Sequence, residues 1–495
     1  MSRIIVIGGS VAGLGAALTL AREGHRVTVL ERDATPMPET PVEAFESWER
    51  RGAPQVRHSH AFLARLRNLL RDEMPDVLAS LLATGAEELR FSDLLPPTID
   101  DRGGRPGDDD LVMLACRRMT FEWVLRRAAL DQDGVEFRDG AEVRGLLADP
   151  SADPVRVTGV EFARAGETET LEADWVIDAS GRRSPLSRWL EAAGGPAIRE
   201  ESEDCGIFYC SRFYRLLPGA PAPRRDTTIG ADLGYLKYAI FHGDSKIFSI
   251  TFAASHEDDA MRALLRLPAF EAAAAALPAT QPWVDPAVAA PISDVHGMAS
   301  LRNTRRYFVE EGRPIAQGLL AIGDAAIHTN PLYGRGCSFA LVHAFLLAEA
   351  LRDHPDDPIA AALALDAATV REIVPWYDLS LAQDRDARTV ARLYESGADP
   401  THAPESTGQT GDTVDPRAYM RSLLRHGLLP ALRSDPDVSR AFFRSFNLLA
   451  APGDVMSDPK ILGVVLQHYQ QRGERVEPTL GPNRAGMLDA FGDAH

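Results

Sequence analysis

No apolar run in this chain reaches the ~18–20 uncharged residues that a membrane-spanning helix needs, so no membrane span is expected. Nor does a basic segment precede the first apolar run, which is too short and too strand-like for a secretory signal, and cytoplasm is the expected location. Cysteine is scarce. The four at positions 116, 205, 210 and 337 lack metal-ligand spacing, so neither a disulfide scaffold nor a metal centre is expected, and Cys205 and Cys210 read as reduced core thiols. Positive charge is in deficit: a formal net charge of −18 argues against nucleic acid and anionic membrane surfaces as partners. No internal repeat is present. What remains, 45% hydrophobic and 25% charged over 495 residues, is ordinary globular composition, with length for two or three domains.

The N-terminus carries the first positive signal. Ile4-Ile5-Val6-Ile7 is a strand-like run that breaks into Gly8-Gly9-Ser10-Val11-Ala12-Gly13, after which an apolar helical stretch runs to Gly24. In a dinucleotide-binding βαβ unit, Gly8 allows the tight turn and Gly13 the close approach of helix to strand. The helix N-terminus then offers free N–H groups and a positive dipole end to a pyrophosphate. Ser10 replaces the usual middle glycine. The next strand, residues 26–30, ends at Glu31, about 20 positions on, where an acid holds a ribose hydroxyl.

Two further motifs follow the same logic. Leu319-Leu320-Ala321-Ile322-Gly323-Asp324 is a strand meeting a glycine and an acid placed to accept hydrogen bonds from a ribityl chain. It leads through Pro331-Leu332-Tyr333-Gly334-Arg335-Gly336 into an apolar helix over 337–351, whose N-terminus suits negative charge on a reduced flavin ring. Between them, Trp175-Val176-Ile177-Asp178 runs into a turn ending at Gly181. Together these motifs resemble those of FAD-dependent monooxygenases of the aromatic-hydroxylase (p-hydroxybenzoate hydroxylase-like) fold. Gln55-Val56-Arg57-His58-Ser59-His60, the 330–336 segment and a helical stretch over 435–449 resemble bacterial polyene epoxidases and squalene-epoxidase-like flavoproteins. Arg335 departs from that pattern, where glutamine is common.

The resemblance implies a set of cofactor contacts. Gly8, Ser10, Val11, Ala12 and Gly13 fall at the FAD pyrophosphate, Glu31 and Arg32 at the adenosine ribose, and Val143 at the adenine. Arg118 falls beside the flavin, and Arg57, Gly323, Asp324, Pro331, Gly334, Arg335 and Gly336 along the ribityl chain and ring. Asp178 matches a turn implicated in binding the nicotinamide donor, although two residues separate it from Gly181. Read as residues alone, Arg118 is equally a solvated helix charge and Val143 a core residue.

The implied fold class is α/β: a Rossmann-like FAD-binding domain (1–185 and 296–395) with an inserted antiparallel-sheet substrate domain (186–295). A 396–416 linker rich in Gly, Pro, Thr, Asp and Glu and a C-terminal helical region (417–495) complete it. In the insert, period-two strands over 207–214, 237–241 and 246–252 carry Phe208, Tyr209, Phe213, Tyr214, Tyr238, Phe241, Phe248 and Phe252. One set is expected either to line an apolar pocket over the flavin or to fill the sheet–helix core. Residues 33–54 read as a long loop with one short helix, and Val438, Phe442, Phe446 and Leu449 as the face of a small helical cap.

His58 and His60 alternate on an extended segment but lack acidic or cysteine partners nearby, so no metal is expected. His328 reads as a loop brace and His343 as structural. Epoxidation through a flavin C4a-hydroperoxide needs no obligatory acid–base pair, so no catalytic side chain is assigned. The expected function is an FAD-dependent monooxygenase, epoxidase or hydroxylase, using NADPH or NADH on a small apolar secondary-metabolite substrate, with a flavin reductase left open as a partner. The alternatives are a reductase of prenyl-chain double bonds and a non-enzymatic flavin-binding protein. A halogenase is disfavoured because none of the six tryptophans sits in a Trp-x-Trp-x-Ile-Pro motif.

Overall fold

Five short apolar strands pair in parallel in the order Leu319–Ala321, Trp175–Asp178, Arg3–Ile7, Arg26–Glu31, Val135–Asp139. Both of its faces are covered along Arg3–Ile7, Trp175–Asp178 and Leu319–Ala321, which therefore read as nearly continuous apolar runs, whereas the edge strand Val135–Asp139 is mixed. The computed structural model describes residues 1–224, 230–396, 401, 416–475 and 479–492, and most of the expected 396–416 linker lies outside the described residues. Among the described residues no helix is long and apolar enough to cross a membrane.

The helix Val11–Arg22 leaves the first strand and lies against the helix Gly336–Asp353. A Cβ at Gly15 would sit 2.8 Å from Leu341 Cδ2, so a small residue sets the spacing of the two helices. That contact brings the N-terminal turn and the 330–336 turn to one end of the sheet, beyond the carboxyl ends of its strands, where ligands bind in open α/β sheets.

The antiparallel sheet has the order Gly230–Asp232, Leu236–His242, Ile247–Ser255, Ile207–Leu216, Ala289–Pro291, and His296–Met298 also pairs with Ile207–Leu216. It joins the parallel sheet through the paired strands Arg199–Asp204 and Arg302–Tyr307. Its outer face, with Phe208, Tyr214, Tyr238, Phe248 and Phe252, packs on the helix Leu267–Ala276 and forms a core there. Its inner face, toward the flavin-type domain, carries Tyr209 and Phe213 together with Ser211, Ser249 and Thr251. Most of the expected aromatic set therefore fills the core, and the inner face sets a row of three hydroxyls among apolar residues.

At its far end the sheet is pinned. The turn between Leu236–His242 and Ile247–Ser255 holds Ser245 and Lys246 at positive φ. Its Asp244, wholly buried, accepts from Arg117 N (2.8 Å), Nε (3.0 Å) and Nη2 (2.6 Å), at the start of the helix Arg118–Asp131.

The C-terminal residues do not form one cap. Helices Pro416–Leu423, Pro436–Phe446 and Pro459–Gln470 share a small core that includes Val438. Leu449 instead packs with Phe91, and Phe446 is 41% exposed. The last helix, Arg484–Phe491, buries Met487 and Phe491 against Leu267–Ala276, because its apolar residues complete the outer core of the antiparallel sheet.

Candidate functional site

The glycine turn is built as the sequence implies. A Cβ at Gly13 would lie 1.9 Å from the Gly8 carbonyl oxygen, so only glycine fits there. Ser10, at the helix N-cap, does not cap the helix; its hydroxyl donates to Glu122 Oε2 at 2.7 Å and accepts from Arg118 Nη2 at 2.9 Å. Val11 and Gly13 are buried, and Ala12 is half-buried.

Glu31 ends the second strand as expected, and its carboxylate accepts from Gly9 N (3.0 Å) and Asp33 N (2.9 Å). It also accepts from Arg50, a residue the sequence reading did not single out. The Arg50 guanidinium reaches Glu31 (3.1 Å), Asp33 (2.7 Å), Glu122 (2.6 Å) and the Gly9 carbonyl (3.2 Å), with its side chain 1% exposed. Burial opposes ionisation of Glu122, yet the charges of Arg50 and Arg118 outweigh it and hold that carboxyl at about 2. Arg118 is buried and paired with Glu122 at 2.7 Å, which rules out the reading of it as a solvated helix charge. Arg32 is exposed. Val143 is buried in the strand Glu142–Asp149, which follows directly on Ala141, whose N–H donates to the Glu31 carbonyl.

Asp178 lies in the same end of the sheet, but its carboxylate is fully enclosed. It accepts from Ser180 N (2.9 Å) and Ser184 Oγ (2.5 Å), and burial pushes its carboxyl up. Its visible work is to hold the turn that presents Gly181 and Arg182.

At the opposite edge Gly323 N donates to His343 Nδ1 (3.1 Å), and His343 Nε2 meets Thr369 Oγ1 (2.8 Å). Burial keeps His343 neutral, with its pKa lowered to about 4. His328 Nδ1 meets the Arg302 carbonyl at 2.6 Å, the brace expected of it. The Asp324 side chain is 35% exposed and among the described residues its carboxylate accepts no hydrogen bond; His328 Nε2 is 3.8 Å away.

The 330–336 turn hangs on a second unforeseen residue, Asp384 of the helix Val374–Glu395. It accepts from Asn303 (2.6 Å), Asn330 (2.8 Å) and Tyr333 (2.7 Å). Pro331 begins this short turn. Gly334 takes φ +67°, and a Cβ there would be 3.1 Å from Ala61 Cβ, so the start of the helix Gly336–Asp353 abuts the segment carrying Arg57, His58 and His60. Arg335 points into the protein, donating to Ser380 Oγ (2.9 Å) with its charge over Trp376, and burial pulls its pKa down to about 10. With its side chain so engaged, the contact that the resemblance implies for Arg335 falls to its backbone.

Arg57 donates to the Phe45 carbonyl at 2.6 Å. The neighbouring Ser59 hydroxyl meets Ser249 (2.6 Å) and Thr251 (2.7 Å), which continues to Ser211 (2.8 Å), so a row of hydroxyls stitches segment 57–61 to the inner face of the sheet. Burial lowers His60 to about 3.

The residues fit a flavin dinucleotide. The Gly8–Gly13 approach leaves the backbone bare, Arg118 Nη1 is buried without a partner among the described residues, and Asp324 presents an unused acceptor. Among the described residues no cluster of three His, Cys, Asp or Glu suits a metal ion.

Residues 3–52 match the sequence family described as pyridine nucleotide-disulphide oxidoreductase. Over 96% of both chains, the protein is 28% identical to Protein Rv3254 of Mycobacterium tuberculosis. Over 38% of this chain and 32% of the relative, it is 29% identical to a putative polyketide hydroxylase of Streptomyces halstedii. Among solved structures it resembles the myxobacterial chondrochloren halogenase CndH (TM-score 0.56, 17% identity, covering 98% of this chain and 99% of that one). It also resembles PqsL, a probable FAD-dependent monooxygenase of Pseudomonas aeruginosa (TM-score 0.55, 17%, 80% and 96%). A third likeness is to OxyS, the anhydrotetracycline hydroxylase of Streptomyces rimosus (TM-score 0.54, 17%, 91% and 76%). The chain thus has the α/β fold shared by FAD-dependent monooxygenases and halogenases, a Rossmann-type unit with an antiparallel sheet and C-terminal helices.

Proposed function

We propose that this protein is an FAD-dependent monooxygenase, an epoxidase or hydroxylase of a small secondary-metabolite skeleton, with NADPH or NADH as electron donor, used directly or through a flavin reductase. The observation that carries the reading is the meeting at Gly334 and Ala61. A helix N-terminus without a side-chain cap lies there against the 57–61 segment, which is itself bonded to the inner face of the sheet. This supports a flavin-type turn and a roofing sheet acting at one site.

The residues that would hold FAD are those of the Gly8–Gly13 turn and Arg118 at the pyrophosphate, Glu31 at the ribose and Asp324 at the ribityl chain. Bound there, FAD supplies the electron transfer and the reaction with dioxygen. This chain's own groups supply position and exclusion of water. Asp384 fixes the 330–336 turn through two hydrogen bonds and ties it to Asn303 through a third, and the Ser59, Ser249, Thr251 and Ser211 hydroxyls close the seam between segment 57–61 and the sheet. Turnover under ¹⁸O₂ tests the reading. One labelled oxygen in the product supports it, whereas a product heavier by two hydrogens, formed equally without oxygen, replaces it with a reductase.

A further inference from the structure

His58 is left over once the flavin contacts are assigned. It is 4% exposed, and its Nδ1 has no hydrogen-bond partner among the described residues. A buried polar atom of this kind in a native fold calls for an explanation. Its ring meets Tyr209 edge-on at 4.9 Å and His296 at 6.3 Å. Tyr209 does not satisfy it, since the Tyr209 hydroxyl donates to Met298 Sδ at 3.0 Å. Tyr209, Met298 and Leu332 belong to one apolar cluster, which sets His58 beside the 330–336 turn and under the inner face of the sheet.

The charges around His58 are one-sided. Arg57 precedes it and Arg182 projects from the Asp178–Gly181 turn; both are half-buried, and among the described residues neither forms an ion pair. Burial, then the charges of His296 and Arg182, push His58 down to about 4, so it is neutral near pH 7. His296 is lowered too, by burial and then by Arg57, with Asp294 the acid that opposes this. A buried water would satisfy Nδ1 alone, whereas an anionic oxygen would satisfy Nδ1 and also draw on the Arg182 charge that reaches it.

We propose that His58, Arg57 and Arg182 form a subsite for a substrate oxyanion, a phenolate, enolate or carboxylate carried on an otherwise apolar skeleton. This rests on the monooxygenase reading and names the substrate class that it takes. The neutral imidazole donates its N–H to the oxygen, the two guanidinium groups supply the countercharge, and no proton changes hands. A bare polyene offers nothing to a neutral donor near two cations, whereas a ring or chain bearing an acidic oxygen is held with that oxygen at His58.

Fluorescence titration of the FAD-loaded protein with 2-naphthol, 2-naphthoate and 2-methoxynaphthalene tests this without turnover. At least one acidic probe is expected to bind about tenfold tighter than the methyl ether, the scale of one charge-assisted hydrogen bond. Binding of 2-naphthol as its anion, read by the absorbance of the naphtholate, assigns the phenolate or enolate class; a preference for 2-naphthoate assigns the carboxylate. His58→Phe and Arg182→Gln are expected to abolish the preference while the flavin absorbance per protein is unchanged, and His58→Gln, which restores a donor, to recover part of it. Equal affinity for all three probes, or an undiminished preference in FAD-loaded His58→Phe and Arg182→Gln proteins, overturns the subsite. A preference for the acidic probes in a protein that incorporates no labelled oxygen leaves the subsite standing and removes the monooxygenase reading alone.

Discussion

Arg50→Met is the sharpest test of how the cofactor end of the protein is held together. The wild-type cluster contains Arg50 and Arg118 against Glu31, Asp33 and Glu122, and the substitution takes its formal charge from −1 to −2 with no solvent to absorb the change. Removing one partner from a buried ion pair costs about 3–5 kcal/mol, a large share of the ~5–15 kcal/mol of a typical domain. Glu122 gives a second estimate. Its carboxyl falls from the ordinary 4.5 to about 2, which is worth about 3 kcal/mol of stability. Because the folded value is the lower one, that contribution is present above about 4.5 and is lost as pH falls toward 2. In Arg50→Met, burial is opposed only by Arg118 and the Ser10 hydroxyl, so Glu122 moves up and the penalty is largest near pH 8 and shrinks toward pH 5. Urea denaturation followed by tryptophan fluorescence at both pH values measures it. A loss below about 1 kcal/mol, or one equal at pH 5 and pH 8, would show that the cluster is not held as a balanced network.

Two substitutions probe the cofactor assignment itself. Gly13→Ala places a methyl group where the Gly8 carbonyl already stands, and the variant is expected to purify without flavin absorbance; full FAD content would refute the close-approach argument. Asp324→Ala removes an acceptor that no donor among the described residues uses. It is expected to weaken FAD retention by about 1.5–3 kcal/mol, roughly ten- to a hundredfold in Kd, with the thermal midpoint of the apoprotein unmoved; retention equal to wild type at micromolar dilution would remove Asp324 from the site.

What was readable in the sequence was what acts locally. The strand, turn, helix and acid from Ile4 to Glu31 fall in one short stretch, and the clash that demands Gly13 comes from a residue five positions away. Arg50 was not readable, because it sits in an irregular loop and its meaning lies in partners up to 72 positions distant. Asp384 escaped for a similar reason: on a 22-residue helix an acid looks solvated until Asn303 and Asn330 are brought to it. The antiparallel sheet was legible as a sheet, but its orientation was not. Tyr209 and Phe213 alternate with Phe208 and Tyr214, so aromatic residues occur on both faces. The informative signal was the quieter period-two row of Ser249 and Thr251, placed opposite Ser211.

The Arg117–Asp244 pair gives the sheet the mechanics of a beam fixed at both ends, at the paired strands Arg199–Asp204 and Arg302–Tyr307 and at the far turn. Swinging the far end away means losing the Arg117 backbone and guanidinium bonds to Asp244 together, so that end moves only when all of them break at once. The inner face is thereby held at a set height over segment 57–61, and the row of hydroxyls that joins the two stays in register.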